Sequence, residues 1–375
     1  MRLLLDVSAV PTQPVGAGVY TVCLATELDT RDTIEMHLLT RSDDGQRWSR
    51  IAPNAIIHAV VPNSRPARLA WEQVKAPALA IRLDIDVWHG PHYTMPLRCS
   101  VPAVVTVHDL TFFEHAEWHE RSKTAFFKGM IRASVKRAKA IVAVSGHTRD
   151  RLDAVLHPSA PIVIAPHGVD HERFRVAPRG DTADIERLAH LGIRPPYIAF
   201  AGLLEPRKDV PNLIDAFARV ARRHPELRLV LAGRDGWGAD AVRDAISSSG
   251  FTTRIMRTGW FPDEALAALF RQAELVAYPS LEEGFGLPAL EALACGAALI
   301  TTTGSAMEEV AHDSAVLVPP SRPDVLAEAI NTVLDNPVNS LRLRTDGPKR
   351  AATFSWERSG DLHLKAYQTA IVETR

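Results

Sequence analysis

Glu283-Gly-Phe-Gly-Leu-Pro-Ala-Leu-Glu291 lies between an apolar run, Leu275-Val-Ala-Tyr-Pro-Ser280, and the stop signal Cys295-Gly296. The apolar run has the length and content of a buried strand, and Pro288 is placed to open a short helix through Ala294. A strand that runs out into glycines and then starts a helix presents backbone N–H groups to a ligand. It presents them at the carboxyl edge of a sheet, where open α/β folds bind. Glu283 falls in the loop and Glu291 in the first turns of the helix, so both can face one crevice. Two acidic acceptors beside N–H donors suit a polyhydroxylated, phosphate-bearing ligand, and a nucleotide sugar before others.

Outward from this stretch, strands and helices alternate along the chain, the pattern of parallel sheets covered by helices. In the first half, strands are expected at 3–7, 36–40, 56–61, 87–89, 101–106, 140–145 and 162–165. A polar stretch bearing Pro and Gly, 176–182, reads as a linker. The second half begins afresh with a strand at 197–202, followed by strands at 227–232, 255–258, 275–280, 299–302 and 315–318. Helices are expected between them at 211–222, 239–247, 264–272 and 322–334. A length of 375 residues favours two cores over one. The economical reading is α/β throughout, with two Rossmann-like domains in tandem, 1–178 and 184–355, and a cleft between them.

A hydrophobic content of 46% with 23% charged residues is that of a soluble globular protein, and a formal net charge of -1 argues against a dedicated nucleic-acid binder. Cys23, Cys99 and Cys295 have neither disulfide-framework nor zinc-ligand spacing, which fits a reducing, cytoplasmic setting. Met1-Arg-Leu-Leu-Leu-Asp6 reads as a first strand and not as a signal peptide, and no apolar run approaches a membrane span.

Gly202-Leu-Leu-Glu205-Pro-Arg207-Lys208 follows the first strand of the second half and precedes a helix. Such a strand-to-helix crossover is a usual place for phosphate recognition in a doubly wound domain. Arg forks onto two phosphate oxygens and Lys acts as a compact point charge.

Taken with the glycine loop Gly16-Ala-Gly18, Val107-His-Asp109, Val144-Ser145 and Pro166-His-Gly-Val-Asp170, these motifs resemble family 4 of the retaining GT-B glycosyltransferases. The resemblance covers essentially the whole chain. His108-Asp-Leu-Thr-Phe-Phe with Glu117-Trp118 is similar to a subgroup rich in mannosyltransferases of surface-polysaccharide assembly. The resemblance implies that Glu283 contacts hydroxyls of the donor hexose, helped by backbone N–H groups at Phe285, Gly286 and Leu287. It implies that Glu291 accepts from the ribose, and that Arg207 and Lys208, next to Glu205, neutralise the diphosphate as the glycosidic bond breaks. Gly16 and Gly18 would let the backbone approach the phosphates and acceptor. His108 would lie near the anomeric centre, and backbone around Gly259 would meet the base. Where relatives often carry Gly-Ile-Gly-Arg-Tyr, this chain has Gly16-Ala-Gly-Val19-Tyr20, which removes a cation from the acceptor side.

The implied reaction is metal-independent, cofactor-free transfer of a hexose with retention by front-face substitution, from GDP-mannose to a glycan or lipid-linked acceptor. The alternatives are a UDP-hexose donor, a phosphorylase or epimerase of the same fold, and a non-catalytic nucleotide-sugar sensor. Asp84-Ile-Asp86 has the spacing of a metal-binding signature of another transferase fold, but its place at a strand entry reads as a structural turn. His89, His92 and Tyr93 either line the acceptor side or are satisfied structural residues, and His167 reads as a domain-junction residue. From Arg121 to Arg149 no acidic residue interrupts a basic run interleaved with Phe126, Phe127, Met130 and Ile131. This segment is either a packed helix with a solvated basic rim or a surface for an anionic membrane, which would place the protein at the membrane's inner face. Phe354-Ser-Trp356 opens a final helix that, by resemblance, packs back on the first domain over 356–375.

Overall fold

The computed structural model describes residues 1–374, and for residues 121–123 the backbone only. The side chains of Arg121 and Lys123, in the expected basic segment, and Arg375, at the end of the expected last helix, lie outside the described residues. The chain forms two compact units. The first comprises residues 1–116, 121–168 and 355–375, and the second residues 117–120 and 169–354.

The first unit is built on β1 (Arg2–Asp6), β2 (Glu35–Arg41), β3 (Ile56–Val61), β4 (Val87–Gly90), β5 (Ala103–Val107), β6 (Ala140–Ala143) and β7 (Ile162–Ile164). These form one parallel sheet in the order β3-β2-β1-β4-β5-β6-β7. Leu3, Leu4 and Leu5 of β1 are all buried, as an inner parallel strand covered on both faces requires. Leu3 and Leu5 face one core with Trp48 and Tyr367, and Leu4 faces the other with Trp88 and Ile131. The C-terminal helix Trp356–Val372 is part of this unit and packs on β4, β5, β6 and β7. Ser355 caps it, its hydroxyl accepting from the Arg358 N–H.

The second unit holds β8 (Tyr197–Ala201), β9 (Arg228–Ala232), β10 (Ile255–Gly259), β11 (Leu275–Tyr278), β12 (Leu299–Thr302) and β13 (Val316–Val318), parallel in the order β10-β9-β8-β11-β12-β13. In each sheet the order reverses once, between β1 and β4 and between β8 and β11. The loops leaving these strand pairs diverge and open the crevice in which doubly wound folds bind.

The expected strands are present, with shifted ends. The strand expected at 140–145 stops at Ala143 because Ser145 caps the next helix, Gly146–Leu156, accepting from the Thr148 N–H. The expected linker at 176–182 is not the unit boundary. Residues from Val169 on belong to the second unit, where the Val169 N–H meets the Phe354 carbonyl at 3.4 Å, and the helix Thr182–His190 begins at the stretch's end. Among the described residues no helix is long and apolar enough to cross a membrane.

Candidate functional site

The second unit's site forms at the carboxyl ends of adjacent strands β8 and β11. After β8 the chain turns through Gly202 at φ +151°. It is then held to the loop after β9, with the Leu204 N–H on the Arg234 carbonyl and the Gly236 N–H on the Leu204 carbonyl, each at 2.9 Å. A Cβ on Gly233 would stand 1.8 Å from the Gly202 oxygen, so that crossing demands glycine. Pro206–Lys208 form a single 3-10 turn that delivers Arg207 and Lys208 beside β11. Because β11 is the next strand, Glu283 in the loop beyond it meets both.

The Glu283 carboxylate is the hub. One oxygen accepts from Lys208 Nζ and from the Ser280 hydroxyl (2.9 Å), and the other accepts from the Arg207 guanidinium. Arg207 reaches Glu205 with its other terminal nitrogen at 2.8 Å, and Lys208 also donates to the Tyr278 hydroxyl at 2.7 Å. Lys208 is 6% exposed and Glu283 5%, so each needs the other to stay charged out of water. Burial opposes ionisation of Glu283, but Arg207 and Lys208 outweigh it and hold the carboxyl at about 2. Burial and the neighbouring Arg207 push Lys208 below the usual lysine value, against the pull of Glu283. Two cations and two carboxylates, Glu205 being the second, make the cluster neutral as a whole.

Gly286 starts the helix Leu287–Ala294 at φ +95°, and a Cβ there would collide with the Met307 sulfur at 2.1 Å. The N–H groups of Gly286 and Leu287 make no hydrogen bond to any described residue, so they stand ready for an acceptor. Phe285 differs from the other two expected donors in that its ring is buried edge-on against Phe354, 5.9 Å away. Glu291 sits elsewhere on this helix, half-buried and outside the ionic cluster. Burial, with Asp263 and Asp170 adding to it and Arg173 opposing, pushes its carboxyl up to about 8. Gly259 ends β10 at φ +67° beside Gly233, with nothing within 4 Å of where a Cβ would be.

Gly16, Gly18 and His108 belong to the first unit. Gly16 precedes the helix Ala17–Asp29 at φ +50° and is exposed. Gly18 is buried, and its missing side chain makes room for Pro14, 3.0 Å from the Cβ position. Its role in the fold is thus to let the loop close on itself. His108 follows β5 and is buried, its Nε2–H donating to the Pro91 carbonyl at 2.8 Å. A carbonyl only accepts, so the proton is on Nε2 and Nδ1 is left as the ring's acceptor. Burial lowers the His108 pKa against the effect of Pro91 and Asp109, which keeps the ring neutral.

Asp84 and Asp86 sit at the opposite edge of the sheet from His108. They accept from the Arg2 side chain and the Arg2 N–H, both at 2.7 Å. His89 and His92 are hydrogen-bonded to Thr106 (2.8 Å) and Thr21 (3.1 Å), while Tyr93 packs edge-on against His108 at 5.5 Å. His167 is buried and stacks on Trp356 at 5.9 Å within the first unit. Sequence reading did not pick out Tyr278 and Ser280, which complete the cluster around Glu283, or Asp170, Arg173 and Asp263 as the surroundings of Glu291. Tyr278 and Ser280 were within the strand-like run, and their polar atoms at its carboxyl end were the available signal.

The family described as "Glycosyltransferase Family 4" matches residues 14–173, and "Glycosyl transferases group 1" matches residues 188–350. The chain is 28% identical to the O-antigen chain mannosyltransferase B of Escherichia coli, over 81% of this chain and 77% of that protein. It is 30% identical to the D-inositol 3-phosphate glycosyltransferase of Nocardia farcinica, over 96% of this chain and 85% of that protein. Among solved structures, sucrose-phosphate synthase from Thermosynechococcus elongatus superposes with a TM-score of 0.79 at 18% identity, covering 98% of each chain. That neighbour has the GT-B arrangement of two Rossmann-like sheets, which is the fold of this chain.

Proposed function

The chain belongs to glycosyltransferase family 4, and we propose that it moves mannose from GDP-mannose to a glycan or lipid-linked acceptor with retention of configuration. The observation that carries the reaction is the cluster of Arg207, Lys208 and Glu283. In the free protein the two cations neutralise Glu283. An incoming diphosphate gives them a better partner, and Glu283 is released to accept hydroxyl protons of the transferred hexose. The bond from the anomeric carbon to the leaving phosphate oxygen breaks as the acceptor oxygen bonds the same face. The acceptor's proton passes to that phosphate oxygen. Arg207 and Lys208 stabilise the negative charge that develops there, so the step requires no divalent metal. His108, through Nδ1, accepts from a donor hydroxyl, and Glu291 takes the ribose hydroxyls. Glu283 and Glu291 are a grip on two parts of the donor and not an acid–base couple.

Mannose is favoured by the likeness to the O-antigen chain mannosyltransferase. The deciding experiment incubates purified protein and a glycan acceptor with GDP-mannose, UDP-hexoses, or a hexose phosphate in place of the nucleotide sugar, with and without EDTA, and follows donor hydrolysis and transfer by NMR. GDP-mannose turnover that survives EDTA and gives an α-linked product is expected. Preference for a UDP-hexose would replace the mannosyl assignment, transfer from the hexose phosphate with release of inorganic phosphate would indicate a phosphorylase, and binding without turnover a sensor.

The acceptor is proposed to lie at the inner face of a membrane. Lys136, Arg137 and Lys139 are exposed, as is Phe126, along or just beyond the helix Arg121–Arg137. Arg132 and Arg65 lie over Phe113 and Phe127. A basic surface with apolar rings suits anionic lipid, and co-sedimentation with anionic but not neutral vesicles at low salt is the check.

A further inference from the structure

Two side chains of the C-terminal helix, His363 and Tyr367, lie about one turn apart and reach into the first unit's buried interior. The Tyr367 hydroxyl is 2.9 Å from His89 Nδ1 on β4, and His89 Nε2 is 2.8 Å from the Thr106 hydroxyl on β5. Thr106 is 2.9 Å from the Tyr20 hydroxyl, and Tyr20 is 2.7 Å from His363 Nε2. His363 Nδ1 is 2.7 Å from the Ser359 carbonyl. The path leaves the helix at Tyr367, crosses β4, β5 and the helix Ala17–Asp29, and returns one turn away.

Its direction is determined throughout. The Ser359 carbonyl only accepts, so His363 carries its proton on Nδ1, and Nε2 accepts from Tyr20. Tyr20, having donated its one proton, accepts from Thr106. Thr106 in turn accepts from His89, whose proton is therefore on Nε2, and His89 Nδ1 accepts from Tyr367. Each group donates once, both histidines are neutral, and no bond can reverse alone. Burial lowers the pKa of His363 to about 4 and that of His89 well below the usual histidine value, in keeping with neutral rings.

A buried polar chain adds little stability over apolar packing, but a fully satisfied one specifies a single arrangement. Tyr20 stands where that arrangement matters. Its ring lies edge-on to His108 at 5.0 Å, and it starts from the turn of helix that follows Gly16 and Gly18. We propose that this directional chain makes Tyr20 a positioning residue, which fixes the His108 ring and the glycine-bearing helix end for hexose transfer. The proposal rests on the transferase reading for its purpose and on the chain's geometry for its existence.

Two activity-independent readouts test it alongside kinetics. Long-range 1H–15N spectra of the full-length protein at neutral pH are expected to show His89 protonated on Nε2 and His363 on Nδ1, assigned with His89→Gln and His363→Gln. Either histidine in the other tautomer, or doubly protonated, would overturn the chain. Tyr20→Phe keeps the ring and removes the hydroxyl, and it is expected to shift or broaden the His108 resonances. With donor and acceptor, kcat should fall about ten-fold or more while the donor KM stays within about two-fold, as expected of misplacement and not of lost binding. His363→Gln, which offers a carbonyl to Tyr20, should retain more kcat than His363→Leu. Unchanged His108 resonances or unchanged kcat in Tyr20→Phe would end the positioning role. If that variant does not fold, Thr106→Val provides the same comparison. If the native protein turns over no nucleotide sugar, the transferase reading fails, while the tautomers and the His108 resonances still decide the positioning.

Discussion

At the carboxyl edge of the first sheet, Tyr20, His89, Thr106, His363 and Tyr367 are joined by bonds between neutral groups. At the edge of the second, Glu205, Arg207, Lys208 and Glu283 are joined through charges. The first network is buried and the second largely so, yet they solve different problems. A neutral chain whose donors are all assigned holds one geometry and has nothing to offer a newcomer. An ionic cluster with two cations on one carboxylate can exchange partners when a stronger anion arrives. The first arrangement suits a frame and the second a site that must rearrange to bind a diphosphate.

The largest break is expected at Glu283. Glu283→Gln leaves two buried or half-buried cations short of their shared anion, which costs about 3 kcal/mol or more of stability. It also removes the proposed hexose contact, so kcat should drop by about two to three orders of magnitude in a transfer assay. Mass spectrometry of the variant with donor should find no covalent glycosyl-enzyme, and one on any side chain would refute front-face substitution.

Acid separates the two networks next. The folded-state pKa values of His89, His92, His108, His167 and His363 all lie below 6.5, with His92 at about 3 and His363 at about 4. At these histidines the unfolded chain therefore binds, below pH 6.5, protons that the folded state refuses. Their contribution to stability falls as the pH drops towards those values, against the opposite effect of Glu72, whose carboxyl burial pushes up to about 8. His92 and His363, whose folded values lie well below 5.5, each contribute on the order of 1 kcal/mol by pH 5.5. Glu283 behaves differently, because its folded value is about 2 against 4.5. Its contribution is complete above pH 4.5 and declines only as the pH falls towards 2. Hydrogen exchange at pH 5 to 5.5 should thus show the first unit losing protection before the second. Simultaneous loss would mean that the units share one transition and the contrast has no thermodynamic weight.

How much of this was legible follows the same contrast. All thirteen strands lay within or close to the runs expected from apolar content, since buried parallel strands are written locally. Helix Pro337–Ala351 was not among the expected helices, and it contains Gly347 and Pro348, both poor helix formers. Gly347 is tolerated because its bare Cα packs on Leu293, 3.2 Å from the Cβ position. The motif residues Arg207, Lys208 and Glu283 were recognisable, but their mutual pairing depends on β8 lying beside β11, which spacing does not reveal. His89 and His363 are harder still. Each looks like an ordinary core histidine, and only the C-terminal helix, returning to a sheet built from the chain's first half, makes them parts of one chain.

A smaller effect tests the geometry of the ionic cluster. Arg207 forks between Glu205 and Glu283, whereas a lysine ammonium is a single point without a planar fork. Arg207→Lys keeps the charge and should lower kcat/KM by about ten-fold, or roughly 1.4 kcal/mol of transition-state stabilisation. A value equal to the native one would reduce Arg207 to a generic positive charge.

The smallest expected effect concerns the other glutamate of the motif. Glu291 has a folded pKa of about 8 against 4.5 for an ordinary glutamate, the reverse of Glu283. Its contribution is fully present below pH 4.5 and is lost as the pH rises through 8, because the folded state resists losing the proton. Glu291→Gln removes that titration, so its melting temperature relative to the native protein should rise by about a few degrees between pH 7 and pH 9. A ribose that donates two hydroxyl protons favours the carboxylate, so nucleotide binding should release a proton near neutral pH in the native protein. Calorimetry in buffers of different ionisation enthalpy measures that release, and Glu291→Gln should abolish it. Equal proton release from both would place the titrating group elsewhere and leave Glu291 without its assigned contact to the ribose.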